Sequence, residues 1–470
     1  MANSNNDFRI LDKDLSRVSN AESASVQLGQ SMIRLGIAVL FIALAALISF
    51  GAFGGHPGLG IIVAGVAVSA YLALSIGAND VSNSLGPAVG AGAIGMTSGL
   101  VLVGVMQVAG AVFAGGEVTN RLGDGIVIPM IHGETSGRMM LAALLAAATW
   151  ISLATWASAP VSTTHSIVGA IAGAGITLYG WQAVNWPSMA MIATGWVLSP
   201  LLSGLIAALL LAFFRKRIYE QQDRQKAARR WLPWLIGMLG VLFTLNLFKL
   251  ALGFAALPSM LAALGVGALG WWYAGTAIDR QFAREQSPRA AMKAIFALPL
   301  VISALAMGFA HGSNDAANVI APLSAVLLAS DGPVDSIAAW SPLLAGLGIA
   351  GGAMLFGRRL VHMVGSRITR LNASRAFCVS VATAATVIGA SSIGLPVSTT
   401  HVAVGGVFGV GFYREWEDRR AQRDRAPLPD EEHKRRHLVR RSHMRTIFGA
   451  WLVTVPASAL LAAGCAWLIA

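Results

Sequence analysis

The chain is punctuated by apolar runs of about 20 residues, each long enough to cross a bilayer as a helix. Eleven or twelve such runs lie between residues 35 and 469, separated by polar turns or basic loops. Lipid tails offer no hydrogen bonds, so the backbone of each crossing segment must satisfy its own N–H and C=O groups. That confines the chain to helices or a closed barrel. The apolar–polar alternation of a barrel is missing from the sequence. The predicted fold class is therefore an all-α polytopic membrane protein with about 11–12 transmembrane helices. Charged residues make up 12% of the chain, against about 25% in soluble domains, too few to cover a water-facing surface.

The net charge is +12, and its placement matters more than its size. One basic loop holds Arg215, Lys216, Arg217, Arg224, Lys226, Arg229 and Arg230; a second holds Arg280, Arg284, Arg289 and Lys293. A third runs from Arg414 to Arg445. Basic loops between apolar spans mark the cytoplasmic side, so no nucleic-acid partner is expected. Arg34 precedes the first span, which puts the N-terminus inside as well. The first 30 residues are polar and carry Asp7, Asp12, Asp14 and Glu22, unlike a cleaved signal, so the first apolar run reads as a retained helix. Residence in a bacterial inner (plasma) membrane, with a cytoplasmic N-terminus, is expected. Cys378 and Cys465 are too few for a disulfide framework or a thiolate metal site. No Gly-x-x-x-x-Gly-Lys-Ser/Thr phosphate loop is present, which argues against ATP hydrolysis by this chain. No nucleophile–base–orienter set is visible, so no enzyme is expected.

Two motifs occur twice, in the same order. Gly77-Ala78-Asn79-Asp80-Val81-Ser82-Asn83 matches Gly312-Ser313-Asn314-Asp315-Ala316-Ala317-Asn318 at a spacing of 235 residues, 314 minus 79. Pro160-Val161-Ser162-Thr163-Thr164-His165 matches Pro396-Val397-Ser398-Thr399-Thr400-His401 at 236, 398 minus 162. The chain is thus a duplication. The span before Asn79 runs inward from a short turn near His56, whereas the span before Asn314 runs outward from a basic loop, so the repeats are predicted to be inverted. The expected organisation is a polar cytoplasmic tail (1–30), an extra N-terminal helix (31–55) and a first repeat (59–214). A basic loop (215–231) and a connecting helical hairpin (232–277) follow. The core of the second repeat (294–413), a charged cytoplasmic loop (414–445) and a last helix (446–470) complete it.

Asp80 and Asp315 each end an apolar span, where an ionisable group costs at least ~2.5 kcal/mol. Asn83 and Asn318 lie three residues on and share a helical face with their Asp. Carboxylate and amide oxygens together suit a hard cation such as Na⁺; capping of a helix end is the plainer use of the same residues. Pro-Val-Ser-Thr-Thr-His reads as a break followed by a helix start. Two such starts meeting at a midplane, with the hydroxyls of Ser162, Thr163, Thr164, Ser398, Thr399 and Thr400, would cage a tetrahedral oxyanion without a buried cation. The plainer use of those hydroxyls is to satisfy a broken backbone. His311 precedes the second Gly-Ser-Asn-Asp where Ile76 stands in the first, an asymmetry that points to proton coupling, with a structural role as the plainer reading. His165 and His401 either orient a neighbour or carry a proton.

At these residues the sequence resembles the inorganic phosphate transporter family, in the paired Asn-Asp segments, the paired Pro-Val-Ser-Thr-Thr-His segments, and Trp196–Pro200 with Trp451–Pro456. The resemblance covers roughly residues 60–470. It implies a symporter that moves inorganic phosphate with H⁺ or Na⁺ by alternating access, as a homodimer in the lipid bilayer, without a cofactor. It assigns the coupling cation to Asp80, Asn83, Asp315 and Asn318, and phosphate to the two Ser-Thr-Thr helix starts with Asn79 and Asn314. Sodium-coupled animal members carry glutamates where this chain has Gln107 and Ser380, which favours protons. The family includes sulfate permeases, so sulfate is the alternative substrate. A non-transporting receptor or scaffold is the alternative of another class, disfavoured because a scaffold gains nothing from buried carboxylates.

Overall fold

The computed structural model describes residues 30–469, apart from 117, 120–125, 127–133, 285–286, 288–293, 331–336, 366–370 and 423–440. The predicted N-terminal tail, except Gln30, and the middle of the predicted 414–445 loop lie outside the described residues.

No β-strand forms among the described residues. The chain opens with α1 (Gln30–Ala52). Then come α2 (Leu59–Gly90), α3 (Met96–Ala114), α4 (Glu134–Trp156), α5 (Thr163–Tyr179) and α6 (Trp186–Phe214). A hairpin of α7 (Arg224–Leu245) and α8 (Ala256–Arg284) leads to α9 (Ala297–Asp315) and α10 (Ala317–Ala329). The rest is α11 (Ile337–Phe356), the short α12 (Arg358–Met363), α13 (Ala373–Ser392), α14 (Thr399–Gln422) and α15 (Arg441–Ile469).

Ten of the described helices are long and apolar enough to span a membrane. The sequence suggests 11–12, and the difference lies in the helices that carry the motifs. The 17-residue α5 and the 13-residue α10 are short, α9 ends in His311 and Asp315, and α14 turns charged beyond Arg414. Lipid-facing apolar side chains cover the outside, such as Ile48 at 69% and Leu452 at 81% exposure. By contrast, α2 is buried almost all round from Ser69 to Ala88, as expected of a helix wrapped by others.

Each repeat is completed by the other. The second-repeat helix α15 packs along α5, and the first-repeat helix α6 packs along α14. Likewise α11 packs on α2, and α3 on α9. The first glycine of each Asn-Asp motif explains the closeness of these last two pairs. A Cβ at Gly77 would overlap the Ile349 carbonyl, and one at Gly312 would overlap the Gln107 carbonyl. Small residues at such crossings let membrane helices approach backbone to backbone.

The breaks before the Ser-Thr-Thr segments are also duplicated. At the end of α4, Ala159 N–H donates to Ala154 O and Ser158 N–H to Thr155 O. At the end of α13, Leu395 N–H donates to Ala390 O and Gly394 N–H to Ser391 O. These are the paired bonds of a Schellman stop, followed each time by proline. The left-handed residue is Gly394 at φ 70° in one repeat and Ser158 at φ 58° in the other.

Candidate functional site

After each stop the chain runs through Pro-Val into a new helix start. Ser162 caps α5 by accepting from His165 N–H at 3.1 Å, and Ser398 accepts from His401 N–H at 3.2 Å. An asparagine from the other motif of the same repeat holds each start in place. Asn79 Oδ1 accepts from Val161 N–H at 3.2 Å, and Asn314 Oδ1 accepts from Val397 N–H at 3.4 Å. The two repeats then cross over. Thr164 Oγ1 donates to Val397 O and Thr400 Oγ1 to Val161 O, both at 3.2 Å. The start of α5 and the start of α14 are therefore tied to each other as well as to their own repeats.

The carboxylates sit at this junction. Asp80 accepts from Thr163 Oγ1 at 2.9 Å, from Thr399 Oγ1 at 3.3 Å and from Thr400 Oγ1 at 3.3 Å. Asp315 accepts from Asn314 Nδ2 at 2.8 Å and from Asn318 Nδ2 at 3.3 Å, and Thr399 Oγ1 lies 3.4 Å from its second oxygen. His311 Nε2 approaches Asp315 Oδ2 to 2.7 Å, and Gln107 reaches the other ring nitrogen at 2.6 Å. Asn83 Nδ2 donates to Thr400 Oγ1 at 2.9 Å, and Asn318 Nδ2 lies 3.5 Å from Thr164 Oγ1. All twelve of the predicted site residues, together with His311 and Gln107, are buried.

One ligand atom from each of Asp80, His311 and Asp315 falls within 4.8 Å of the others. Two carboxylates this close, in a medium of low dielectric, need positive charge beside them. The oxygen-rich set fits a hard cation, with Asn318 Oδ1 unpartnered at its edge. The first N–H groups of α5 and α14, those of Thr163, Thr164, Thr399 and Thr400, have no acceptor among the described residues, as helix geometry dictates. Unpaired N–H groups at two facing helix starts are suited to an anion.

Sequence reasoning identified these residues but missed parts of their support. Val161 and Val397 act through their backbones, and only their constant place between Pro and Ser in both motif copies hints at it. Asn79 is further held by Thr155 Oγ1 at 2.9 Å and Ala159 O at 3.2 Å, on a turn with no motif of its own. Gln107 emerges as the partner of His311, and Ser380 lies buried with its hydroxyl unpartnered.

An all-helical membrane protein whose two repeats pool buried carboxylates and helix starts in one cluster is built as a transporter. The chain belongs to the phosphate transporter family, whose profile matches residues 76–462. A Helicobacter pylori protein named "Putative phosphate permease" is 33% identical, covering 96% of this chain and 97% of its own. A Haemophilus influenzae protein of the same name is 34% identical over 83% of this chain and 92% of its own. A solved structure described as the sodium-dependent phosphate transporter is similar with a TM-score of 0.79 and 31% identity, covering 87% of this chain and 98% of that one.

Proposed function

We propose that the protein is a secondary carrier of inorganic phosphate, driven by symport of H⁺ or Na⁺ through alternating access between two inverted repeats. The observation that carries this reading is the convergence of Asp80, Asp315 and the helix starts at Thr163 and Thr399 in one buried cluster drawn from both repeats. Phosphate is held by the N–H groups and hydroxyls of the Ser-Thr-Thr segments, with Asn79 and Asn314 fixing those segments in place. The cation is held by Asp80, Asn83, Asp315 and Asn318, and its field lowers the cost of burying the anion beside it. A site with no buried arginine or lysine releases its anion as readily as it takes it up, as turnover requires. Helix starts held to both repeats give the repeats a shared hinge.

Na⁺ is favoured by the oxygen-rich donor set and by the sodium-dependent relative. H⁺ is favoured by Gln107 and Ser380, which stand where sodium-coupled animal members carry glutamates. Labelled phosphate uptake into sealed proteoliposomes, under an imposed Na⁺ gradient or an imposed pH gradient, separates them. Excess sulfate in the same assay tests the alternative substrate: uptake of phosphate indifferent to sulfate supports the reading. Sulfate uptake without phosphate uptake would overturn it, and no flux of either anion would make the protein a receptor or scaffold.

A further inference from the structure

A cavity of about 670 Å³ is walled by α1, by α2 and α4 of the first repeat, and by Leu355, Phe356 and Arg359 of the second. Its α1 wall is Leu35, Ala38, Val39 and Ile42, and Leu74 faces them from α2. From Arg34 to Ile42 this wall rises by about 12 Å at the helical rise per residue. Two guanidiniums also line the cavity, Arg34 in the first turns of α1 and Arg359 at the start of α12. Among the described residues Arg34 donates to Gln30 at 3.5 Å and Arg359 to the Trp156 carbonyl at 3.5 Å, and no carboxylate pairs with either. The deep wall is polar: Tyr71 donates to Ser152 at 3.0 Å, Ser75 and Ser152 hydroxyls lie 2.9 Å apart, and Thr155 accepts from Asn79.

We propose that this cavity is a binding site for an anionic phospholipid, whose phosphate sits between Arg34 and Arg359 and whose acyl chain lies along the α1 wall. Arginine pairs with phosphate through two parallel N–H bonds, and two arginines on one cavity with no carboxylate partner among the described residues suit an anion. The volume and the apolar wall call for a chain attached to it. A free phosphate held by the arginines would leave the apolar wall of Leu35, Val39 and Leu74 uncovered, and an acyl chain covers it. Arg34 and the rest of the α1 wall precede the family-matched residues 76–462, and neither arginine belongs to the carboxylate cluster. The cavity is nevertheless connected to that cluster. The cavity wall includes Thr155, which holds Asn79, which in turn holds Val161 N–H at the start of α5. A lipid seated there braces the turn that presents the first helix start.

The test is lipid retention by the purified full chain, read by native mass spectrometry after exchange into mixtures of phosphatidylglycerol and phosphatidylcholine. The wild type is expected to prefer phosphatidylglycerol by about 10-fold, about 1.4 kcal/mol. The pair Arg34→Gln with Arg359→Gln is expected to bring the preference to parity, and Arg230→Gln, away from the cavity, to leave it intact. Val39→Trp, which fills the cavity without touching a charge, is expected to abolish retention and serves if the double variant does not fold. Millimolar inorganic phosphate is expected to leave the lipid in place. Displacement by phosphate would instead make the cavity a vestibule for the free anion and overturn the proposal. So would unchanged preference in the double variant, equal retention of both lipids, or full retention by Val39→Trp.

Discussion

The imidazole rings of His165 and His401, one from each repeat, lie with their centroids 4.4 Å apart. Trp196 packs on His165 with centroids 3.7 Å apart and Trp451 on His401 at 3.6 Å, which makes one row of four mutually tilted rings across the junction of α5, α6, α14 and α15. The helix starts that present Thr163 and Thr399 are thus clamped from behind. Aromatic pairs contribute about 0.5–1.5 kcal/mol beyond their buried area. His165→Ala and His401→Ala should each weaken phosphate binding by roughly 3- to 10-fold. Because the rings touch, the double variant should cost less than the two losses added. Binding titrations on all three variants check this; strict additivity would show that the rings act independently.

Asp80 accepts from three threonines on two different helix starts, and Asp315 faces His311. Asp80→Asn and Asp315→Asn keep the shape and remove the charge. Each is expected to abolish gradient-driven uptake while leaving membrane insertion and monodispersity unchanged. Accumulation at the wild-type level by either variant would remove that carboxylate from the coupling mechanism.

Ser398 caps α14, and loss of a serine cap costs about 1 kcal/mol. Cys378 is equally buried but belongs to an apolar cluster. Ser398→Ala should weaken phosphate affinity by about 5-fold or more, from the disturbed helix start. Cys378→Ala should leave affinity near that of the wild type. Equal effects in an equilibrium titration would contradict the helix-start site.

Gly394 and Ser158 occupy the same left-handed place in the two Schellman stops. A residue with a side chain is disfavoured there by about 1 kcal/mol relative to glycine. Ser158→Gly should therefore raise the thermal midpoint or leave it unchanged, whereas Gly394→Val should lower it and reduce uptake. A thermal-shift assay on the detergent-solubilised protein reads both. A destabilised Ser158→Gly would mean that its side chain, not its backbone, matters at that turn.

Much of this was legible in the sequence because the constraint was strong. Lipid allows few backbone solutions, so the apolar runs gave an all-helical membrane fold, and the duplication brought Asp80 and Asp315 into view together. Less legible were helices whose composition serves the site rather than the bilayer. The short α5 and the polar end of α9 carry hydroxyls, histidine and aspartate buried inside protein, where lipid-based hydropathy is a poor guide. The exchange between repeats was invisible, because contacts such as Thr400 to the Val161 carbonyl join residues 239 apart through backbone atoms. Gln107 stands out in the sequence as a polar residue in an apolar span and as a departure from a family pattern, but its bond to His311 required the packing of α3 on α9.

An anion and a cation that share one site built by both repeats must each change the other's affinity by the same factor. The most direct test is the equilibrium affinity of the purified protein for phosphate, measured across a range of Na⁺ concentration and of pH, for the wild type and Asp80→Asn. The wild type is expected to bind phosphate about 10-fold or more tightly as one of the two cations is raised, within the usual range of coupling. The variant is expected to show no such dependence. Phosphate binding by the wild type that is indifferent to both cations, or an unaltered dependence in Asp80→Asn, would contradict the shared site.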